Sequence, residues 1–499
     1  MTTTQEDTAV TGESRMLIDG QLEEAISGRR FDNINPATEE VLGQTADAGH
    51  DDMDRAIAAA RRAFDTTGWS TDHALRKRCL LQLQAAIEDE VEQLRAELVA
   101  EVGTPVLLTY GPQLDTPLSD GLVWPAHYID EFAWERDLPE GTAFGMRSWR
   151  KVYKEAVGVV AAIVPWNYPF EVSINKIGQA LAAGNTVILK PAPDTPWNAT
   201  RLGRLVAERT DFPDGVFQVV TTTDNQVAED LVTDPRVDLI SFTGSTAVGR
   251  RIMEKGAPTL KRLFLELGGK SADIVLDDAD FAEKLSFAWA VCTHGGQGCV
   301  MLTRMLLPRS RYEEGISLME DGFRTVAYGD PTDPANFQGP QINAAQREKI
   351  LRYIEQGKEQ GARVVVGGGR PSHLPKGYYV EPTLLADVDN SMTVAREEIF
   401  GPVLVVIPFE DDDDAVRIAN DSPYGLGCGV TSGSEERAVA VARRIRAGSA
   451  MVNGGIWYGA DAPFGGYKAS GIGRQNGVEG FEQYTETKTI AGGLPPLAG

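Results

Sequence analysis

Cysteine is scarce in this chain: 499 residues hold four, Cys79, Cys292, Cys299 and Cys428. Their spacing fits neither a disulfide framework nor a zinc site. No metal is therefore expected, the setting reads as reducing and cytoplasmic, and any thiol chemistry rests on one residue. Basic residues are also in deficit, 48 against 72 acids, for a formal net charge of −24. Such a surface repels nucleic acid and anionic membrane, and neither is expected as a partner. No apolar run reaches the ~18 residues that a membrane helix needs. The longest candidate, 157–165, reads as a buried strand. The start, Met1-Thr2-Thr3-Thr4-Gln5-Glu6-Asp7, has neither the basic residues nor the apolar core of a signal peptide, and 1–15 reads as a polar, disordered lead. Finally, Gly-x-Gly-x-x-Gly occurs nowhere. That absence, taken alone, argues against a dinucleotide cofactor.

What is present is a globular composition. Apolar residues make up 42% of the chain with no low-complexity tract, and the length exceeds one core, so two or three domains are expected. Residues 52–64 and 74–102 show helical periodicity with charged outer faces. From 157 onward β-rich runs at 157–164, 186–189, 216–220 and 237–242 alternate with helical stretches, among them 173–182 and 197–208. This alternation predicts a parallel sheet with covering helices, which binds ligands beyond the carboxyl ends of its strands. A second series runs from about Glu266 to 450, so a second α/β domain is expected with Glu266 near the boundary. The acidic run 410–414 reads as a solvated loop ahead of a helix.

Two glycine-bedded runs carry the chemistry. Leu265-Glu266-Leu267-Gly268-Gly269-Lys270 supplies an acid, and Gly296-Gln297-Gly298-Cys299 supplies a thiol 33 residues after it. A thiolate attacks carbonyl carbon, and a nearby carboxylate can activate the water that later releases the acyl group. The stretch 281–295 reads as a helix that the glycines break, which exposes the Cys299 thiol to close approach. Asn167 lies in Pro165-Trp166-Asn167-Tyr168-Pro169, a loop that follows the first strand. Its amide can stabilise an oxyanion. Gly244-Ser245 follows the strand at 237–242 and opens a helix whose N-terminus can face an anion.

These runs, with Lys190-Pro191, Phe242-Thr243-Gly244-Ser245, Glu398-Ile399-Phe400-Gly401-Pro402 and Pro463-Phe464-Gly465-Gly466-Tyr467-Lys468, stand in a family-like order and spacing. From about Leu17 to Ile490 the chain resembles the NAD(P)-dependent aldehyde dehydrogenase superfamily. The resemblance implies a Rossmann-like cofactor domain over 1–125 and 150–260 and an α/β catalytic domain over 261–455. It also implies a small β oligomerisation arm and tail over 126–149 and 478–499, in a homodimer or homotetramer. The tail at 481–490 alternates as an exposed strand would, and a partner subunit would cover it.

The resemblance makes Cys299 the nucleophile, Glu266 the base for the deacylating water and Asn167 the oxyanion donor. It also explains the missing glycine fingerprint, because the family holds the pyrophosphate differently. Cofactor positions then fall on Ile163, Val164, Pro165 and Trp166, on Gly244, Ser245 and Val248, and on Leu267 and Gly268. Lys190 is implied at the adenosine ribose, Glu398 at the nicotinamide ribose, and Phe400 beside it, with Gln346 and Lys349 on the same side. Phe170, Glu171, Ile174, Val300, Trp457, Tyr458 and Phe464 match substrate-pocket positions, and Met301 follows Val300 after the nucleophile. As a set they imply an apolar or aromatic aldehyde.

Three departures stand out. Pro193 replaces the usual Glu that binds the ribose 2′-hydroxyl, which opens the way to NADP. Thr222 and Asp224 replace a usual Gly-x-Gly, and the added acid pushes back towards NAD, the expected cofactor. Gln475 stands where many members have Glu, which removes a second acid from proton relay. Three rivals remain at this level. In a CoA-acylating dehydrogenase, CoA takes the acyl group and no water base is needed. In a non-redox thiol hydrolase, His294 would serve as base for Cys299. The last is a non-catalytic NAD-binding protein.

Overall fold

The computed structural model describes residues 10–456 and 458–495. The lead at 1–9, the pocket candidate Trp457 and the last tail residues 496–499 lie outside the described residues.

Five parallel strands form the centre of the first sheet, in the order Arg262–Glu266, Leu239–Thr243, Val159–Ile163, Thr186–Lys190 and Phe217–Val219. Helices cover both faces, so these strands are apolar almost throughout, and every residue of Thr186–Lys190 is buried. Short antiparallel strands extend the two edges: Gly471–Ile472 beside Arg262–Glu266, and Met16–Ile18 beside Phe217–Val219. From Val159–Ile163 the chain builds first towards one edge and then returns to build the other. The carboxyl ends of Val159–Ile163 and Leu239–Thr243 therefore flank a switch point, where such sheets open a crevice. Asn167 and Gly244-Ser245 follow those two ends.

The strand that ends in Glu266 belongs to this first sheet, where Thr243 and Glu266 are register partners. It does not begin the second series, as the periodicity suggested. Gly268-Gly269 turn the chain away, and the next strand, Ala272–Val275, pairs with Arg304–Pro308 and Gly427–Thr431. The second sheet has seven strands, ordered 363–366, 383–386, 403–409, 304–308, 272–275, 427–431 and 449–452. All but the first are parallel to their neighbours.

Strands Glu135–Ala143, Met146–Ala156 and Thr485–Leu494 form a separate antiparallel sheet. The first of these strands starts at Glu135, and Val123–Glu131 is helical. The tail strand, expected to await a partner subunit, pairs within its own chain, from Thr485 opposite Ala156 to Leu494 opposite Arg147. The helical stretch expected over 74–102 is two helices, His73–Asp89 and Val91–Val102, parted at Glu90. The acidic run caps the helix Asp412–Asn420: Asp411 accepts from the Asp414 N–H, and Arg309, Arg417, Arg437 and Arg444 pair with the run. Among the described residues no helix is long and apolar enough to cross a membrane, and no His, Cys, Asp and Glu cluster could hold a metal ion.

Candidate active site

The nucleophile candidate sits on a turn that helix geometry cannot make. The expected helix over 281–295 stops early, as the helix Phe281–Leu285 followed by 3-10 turns over Ala288–Gly296. Thr293 leaves helical angles, and His294, Gly295 and Gly296 take φ values of +53°, +64° and +71°. A side chain at Gly296 would put its Cβ 2.1 Å from the Gly401 carbonyl oxygen. Glycine is therefore required there for the loop to pack. The turn delivers Cys299 to the wall of a cavity of about 400 Å³.

Glu266 and Asn167 line the same cavity. Glu266 is the last residue of its strand and is 3% exposed. Its carboxyl shares the cavity with the Cys299 thiol, and Oε1 has no hydrogen-bond partner among the described residues. Burial raises the Glu266 pKa, against the opposing charge of Lys176. Burial, reinforced by the Glu266, Glu171 and Glu398 carboxylates, holds the Cys299 thiol well above its ordinary value. Asn167 is fixed from three sides. Its Nδ2 donates to the Gln297 carbonyl at 2.8 Å, and its carbonyl lies 2.9 Å from both Gln113 Nε2 and His294 Nε2.

The hydrolase rival's base, His294, does not line the cavity that Cys299 lines. His294 is fully buried, its Nε2 is engaged by the Asn167 carbonyl, and burial lowers its pKa to about 4. It holds the loop that carries Asn167, and no hydrogen bond joins it to the thiol among the described residues.

Next to the acid the chain is open to a ligand. A Cβ on Gly268 would lie 2.3 Å from Glu398 Oε2, and Gly269 N–H donates to Glu398 Oε1 at 2.9 Å. Glu398 therefore stands directly over the glycine pair. Phe400 meets Trp166 edge to face at 5.4 Å, and the Gln346 amide holds the Phe400 carbonyl at 2.8 Å. Pro165, Leu267, Gly244, Ser245, Val300 and Lys349 share the cavity wall with them. Ser245 caps the helix Thr246–Gly256 by accepting from the Val248 N–H. A carboxylate packed against the glycine pair, an aromatic pair and a capped helix N-terminus on one cavity wall suit the ribose, nicotinamide and phosphate of a dinucleotide.

Several expected positions lie elsewhere. Phe170 and Ile174 are fully buried in the hydrophobic core, not in the pocket. The helix Pro169–Ala182 fixes the reason: residues 170, 174, 177 and 181 share its core face, so residue 171 and its neighbour Val172 reach the cavity instead. Val164 packs in the same core, Ile163 against another cluster, and neither side chain lines the cavity. Val248 is 45% exposed and also off the cavity wall. Lys190 ends the strand Thr186–Lys190, Pro193 lies in the loop after it, and neither lines the cavity. Lys190 Nζ donates to the Pro191 carbonyl at 2.9 Å, and burial lowers its pKa to about 8. Asp224 is occupied as the cap of its own helix, accepting from Gln226 N–H at 2.7 Å. Glu171, Tyr458 and Phe464 do line the cavity.

Sequence reasoning missed Lys176. It is fully buried, 3.1 Å from Ser241 Oγ and 3.5 Å from Gln475 Oε1, with Glu266 as the largest charge upon it. No local pattern marks it, because its helix also carries Glu171, Ser173, Asn175 and Gln179. Pro112 and Gln113 gave no signal, because only the fold brings them to the site.

With this geometry in hand, comparison with known proteins is decisive. The model of the aldehyde dehydrogenase family matches residues 23–490, and the chain belongs to that family. A 3-succinoylsemialdehyde-pyridine dehydrogenase of Pseudomonas sp is 40% identical over 478 residues, 95% of this chain and 98% of that one. The crystal structure of a Mycobacterium tuberculosis aldehyde dehydrogenase with NAD+ superposes at a TM-score of 0.92, with 38% identity, covering 98% of this chain and 100% of the other. A mutant aldehyde dehydrogenase C of Pseudomonas syringae with NAD+ and octanal gives 0.89, with 38% identity and 96% of each chain covered. This protein is an NAD(P)-dependent aldehyde oxidoreductase, which converts an aldehyde to a carboxylic acid.

Proposed function

We propose that Cys299, Asn167 and Glu266 divide the reaction among themselves. The observation that carries this reading is their convergence, thiol, amide and carboxyl, on one cavity of about 400 Å³. Cys299 gives up its thiol proton to water, and the thiolate Sγ bonds the aldehyde carbon as the carbonyl π pair moves to oxygen. Asn167 Nδ2 has two N–H groups and gives one to Gln297; the other, with the Cys299 backbone N–H, receives the developing oxyanion. Bound NAD(P)+ supplies the oxidising power by accepting a hydride from that carbon, held by Glu398, Phe400, Trp166 and the Gly244-Ser245 helix start, with Lys190 on the adenosine side. Cys299 then carries the acyl group as a thioester. Glu266 takes a proton from water, the hydroxide displaces the thiolate, and the acid leaves. The Glu266 carboxyl beside the thiol favours water over CoA as the acyl acceptor. NADH formation with an aldehyde panel, with and without CoA, tests this against the acylating route: CoA-dependent turnover with no acid product would overturn it.

The oxyanion role has its own test. Asn167→Ala should lower kcat by about 10²–10³-fold, the usual loss for one such donor. The fold should persist, because Gln113 and His294 hold the Asn167 backbone carbonyl, which alanine keeps. Unchanged activity per folded molecule would make Asn167 structural.

NAD is the proposed preference, with NADP accepted. Pro193 leaves the ribose 2′ position without a carboxylate, and Asp224 is committed to its helix cap. Pro193→Glu should raise the NAD+ over NADP+ ratio of kcat/KM by about tenfold or more, as a carboxylate both binds the 2′-hydroxyl and repels a 2′-phosphate. An unchanged ratio would move the decision elsewhere.

The substrate body is proposed to be apolar or aromatic, since Val172, Met301 and Phe464 line the cavity, and a relative captured with octanal supports an apolar chain. Homodimer or homotetramer assembly is proposed through the arm, where Phe144 and Met146 are 98% and 66% exposed. The cofactor and catalytic units are proposed to divide after Gly269 in place of 260, because Arg262–Glu266 completes the first sheet. A cytoplasmic setting is proposed from four unpaired cysteines.

A further inference from the structure

One group in the cavity wall is out of keeping with an apolar tunnel. Glu171 lies in the first turn of the helix that follows Asn167 and faces the cavity beside Val172. Its Oε1 accepts from Asn175 Nδ2 at 2.7 Å and from the Tyr458 hydroxyl, and Asn175 Nδ2 also reaches that hydroxyl oxygen at 2.6 Å. The three side chains close a triangle, so the carboxylate is held in one orientation. Both donors converge on Oε1, which leaves Oε2 for a ligand. Glu171 acts on the Cys299 thiol and on the Glu266 carboxyl by its charge, so it belongs to the reacting compartment. Its charge also acts on Lys176, whose Nζ is turned to Ser241 and Gln475. Behind Tyr458, Asp120 accepts from the Ala460 N–H at 2.9 Å and adds negative charge. Among the described lining residues Lys349 is the one cation, and it faces Glu398 on the cofactor side.

A carboxylate in a largely apolar cavity is unfavourable unless something pairs with it. The geometry points to Glu171 as a specificity group, whose Oε2 receives a hydrogen-bond donor carried by the aldehyde at the end remote from its carbonyl. An ammonium group fits best, because it matches the charge, and a hydroxyl fits the same geometry. This deepens the reading of the cavity as an aldehyde site and rests on it. The apolar wall then packs against the carbon chain between the two ends.

Pairs of equal length test it. The ratio of kcat/KM is measured for 3-aminopropanal over butanal and for 6-aminohexanal over heptanal, with 6-hydroxyhexanal as the neutral donor. Wild type should favour the amino compound at the length that reaches Glu171. Glu171→Leu should lower that ratio by about tenfold or more, by losing the amine and gaining the alkyl aldehyde, as a site built for a polar partner does when it is replaced. Glu171→Gln keeps the shape and should lose the amine preference while keeping most of the hydroxyl preference. Wild type preferring the alkyl aldehyde at both lengths would overturn the assignment. So would ratios that stay the same in both variants, including a uniform loss across all substrates. If wild type oxidised none of these aldehydes with NAD+ or NADP+, the aldehyde-site reading itself would fail, a separate outcome.

Discussion

Cys299→Ala should abolish aldehyde-dependent NADH formation, a loss of about 10⁴–10⁶-fold, the scale expected when a covalent nucleophile is removed. Alanine substitution at Cys79, Cys292 or Cys428 should leave turnover per folded molecule nearly intact and cost about 1 kcal/mol of stability. The difference lies in place, not in residue type. Cys79, Cys292 and Cys428 are sealed in cores, and burial pushes the Cys79 and Cys428 thiols up to about 12 and Cys292 higher. Of the four, Cys299 alone lines the cavity, which it shares with the Glu266 carboxyl. Steady-state assays on the four variants, normalised to folded protein, check this. Substantial turnover in Cys299→Ala would end the covalent mechanism.

Glu266→Gln should separate acylation from hydrolysis. It should form one equivalent of NADH per active site in a rapid burst and then stall, with steady-state turnover down by about 10²–10⁴-fold, the worth of a general base. The amide keeps the shape of the side chain but cannot take a proton from water. The pH dependence follows from the same group. Burial raises the Glu266 pKa, so its carboxylate form is scarce in acid and gains as pH rises. Wild-type turnover should therefore climb from acid through neutrality into the alkaline range, and the slow residual turnover of Glu266→Gln should lose that rise. Stopped-flow absorbance across pH measures both. A slowed burst would mean that Glu266 also deprotonates the thiol it faces.

The catalytic set was legible because its signals are local. Glycines on either side of Glu266 and before Cys299 mark places where backbone must approach closely, and the Gly268 contact with Glu398 and the Gly296 contact with Gly401 bear out that logic. Strand and helix alternation from 157 gave the first sheet, since parallel strands covered on both faces are continuous apolar runs. What failed needed phase or partnership. Phe170 and Ile174 were assigned to the pocket, but only the helix start at Pro169 fixes which residues turn to the core. The Glu266 strand looked like the start of a new series, because pairing with Leu239–Thr243 leaves no mark on periodicity. The tail strand read as an exposed edge; it pairs on one side with Met146–Ala156, more than 300 residues earlier, and remains the outer strand of its sheet. Lys176 and Gln113 act through tertiary contacts that no local pattern records.

The central claim is a thioester on Cys299 whose hydrolysis waits for Glu266. Intact-protein and peptide mass spectrometry of Glu266→Gln, quenched in acid seconds after mixing with aldehyde and NAD+, measures it directly. The predicted result is a mass increase equal to one acyl group, on the peptide that contains Cys299, with one NADH formed per adduct. An unmodified Cys299 peptide after the same NADH yield would contradict it.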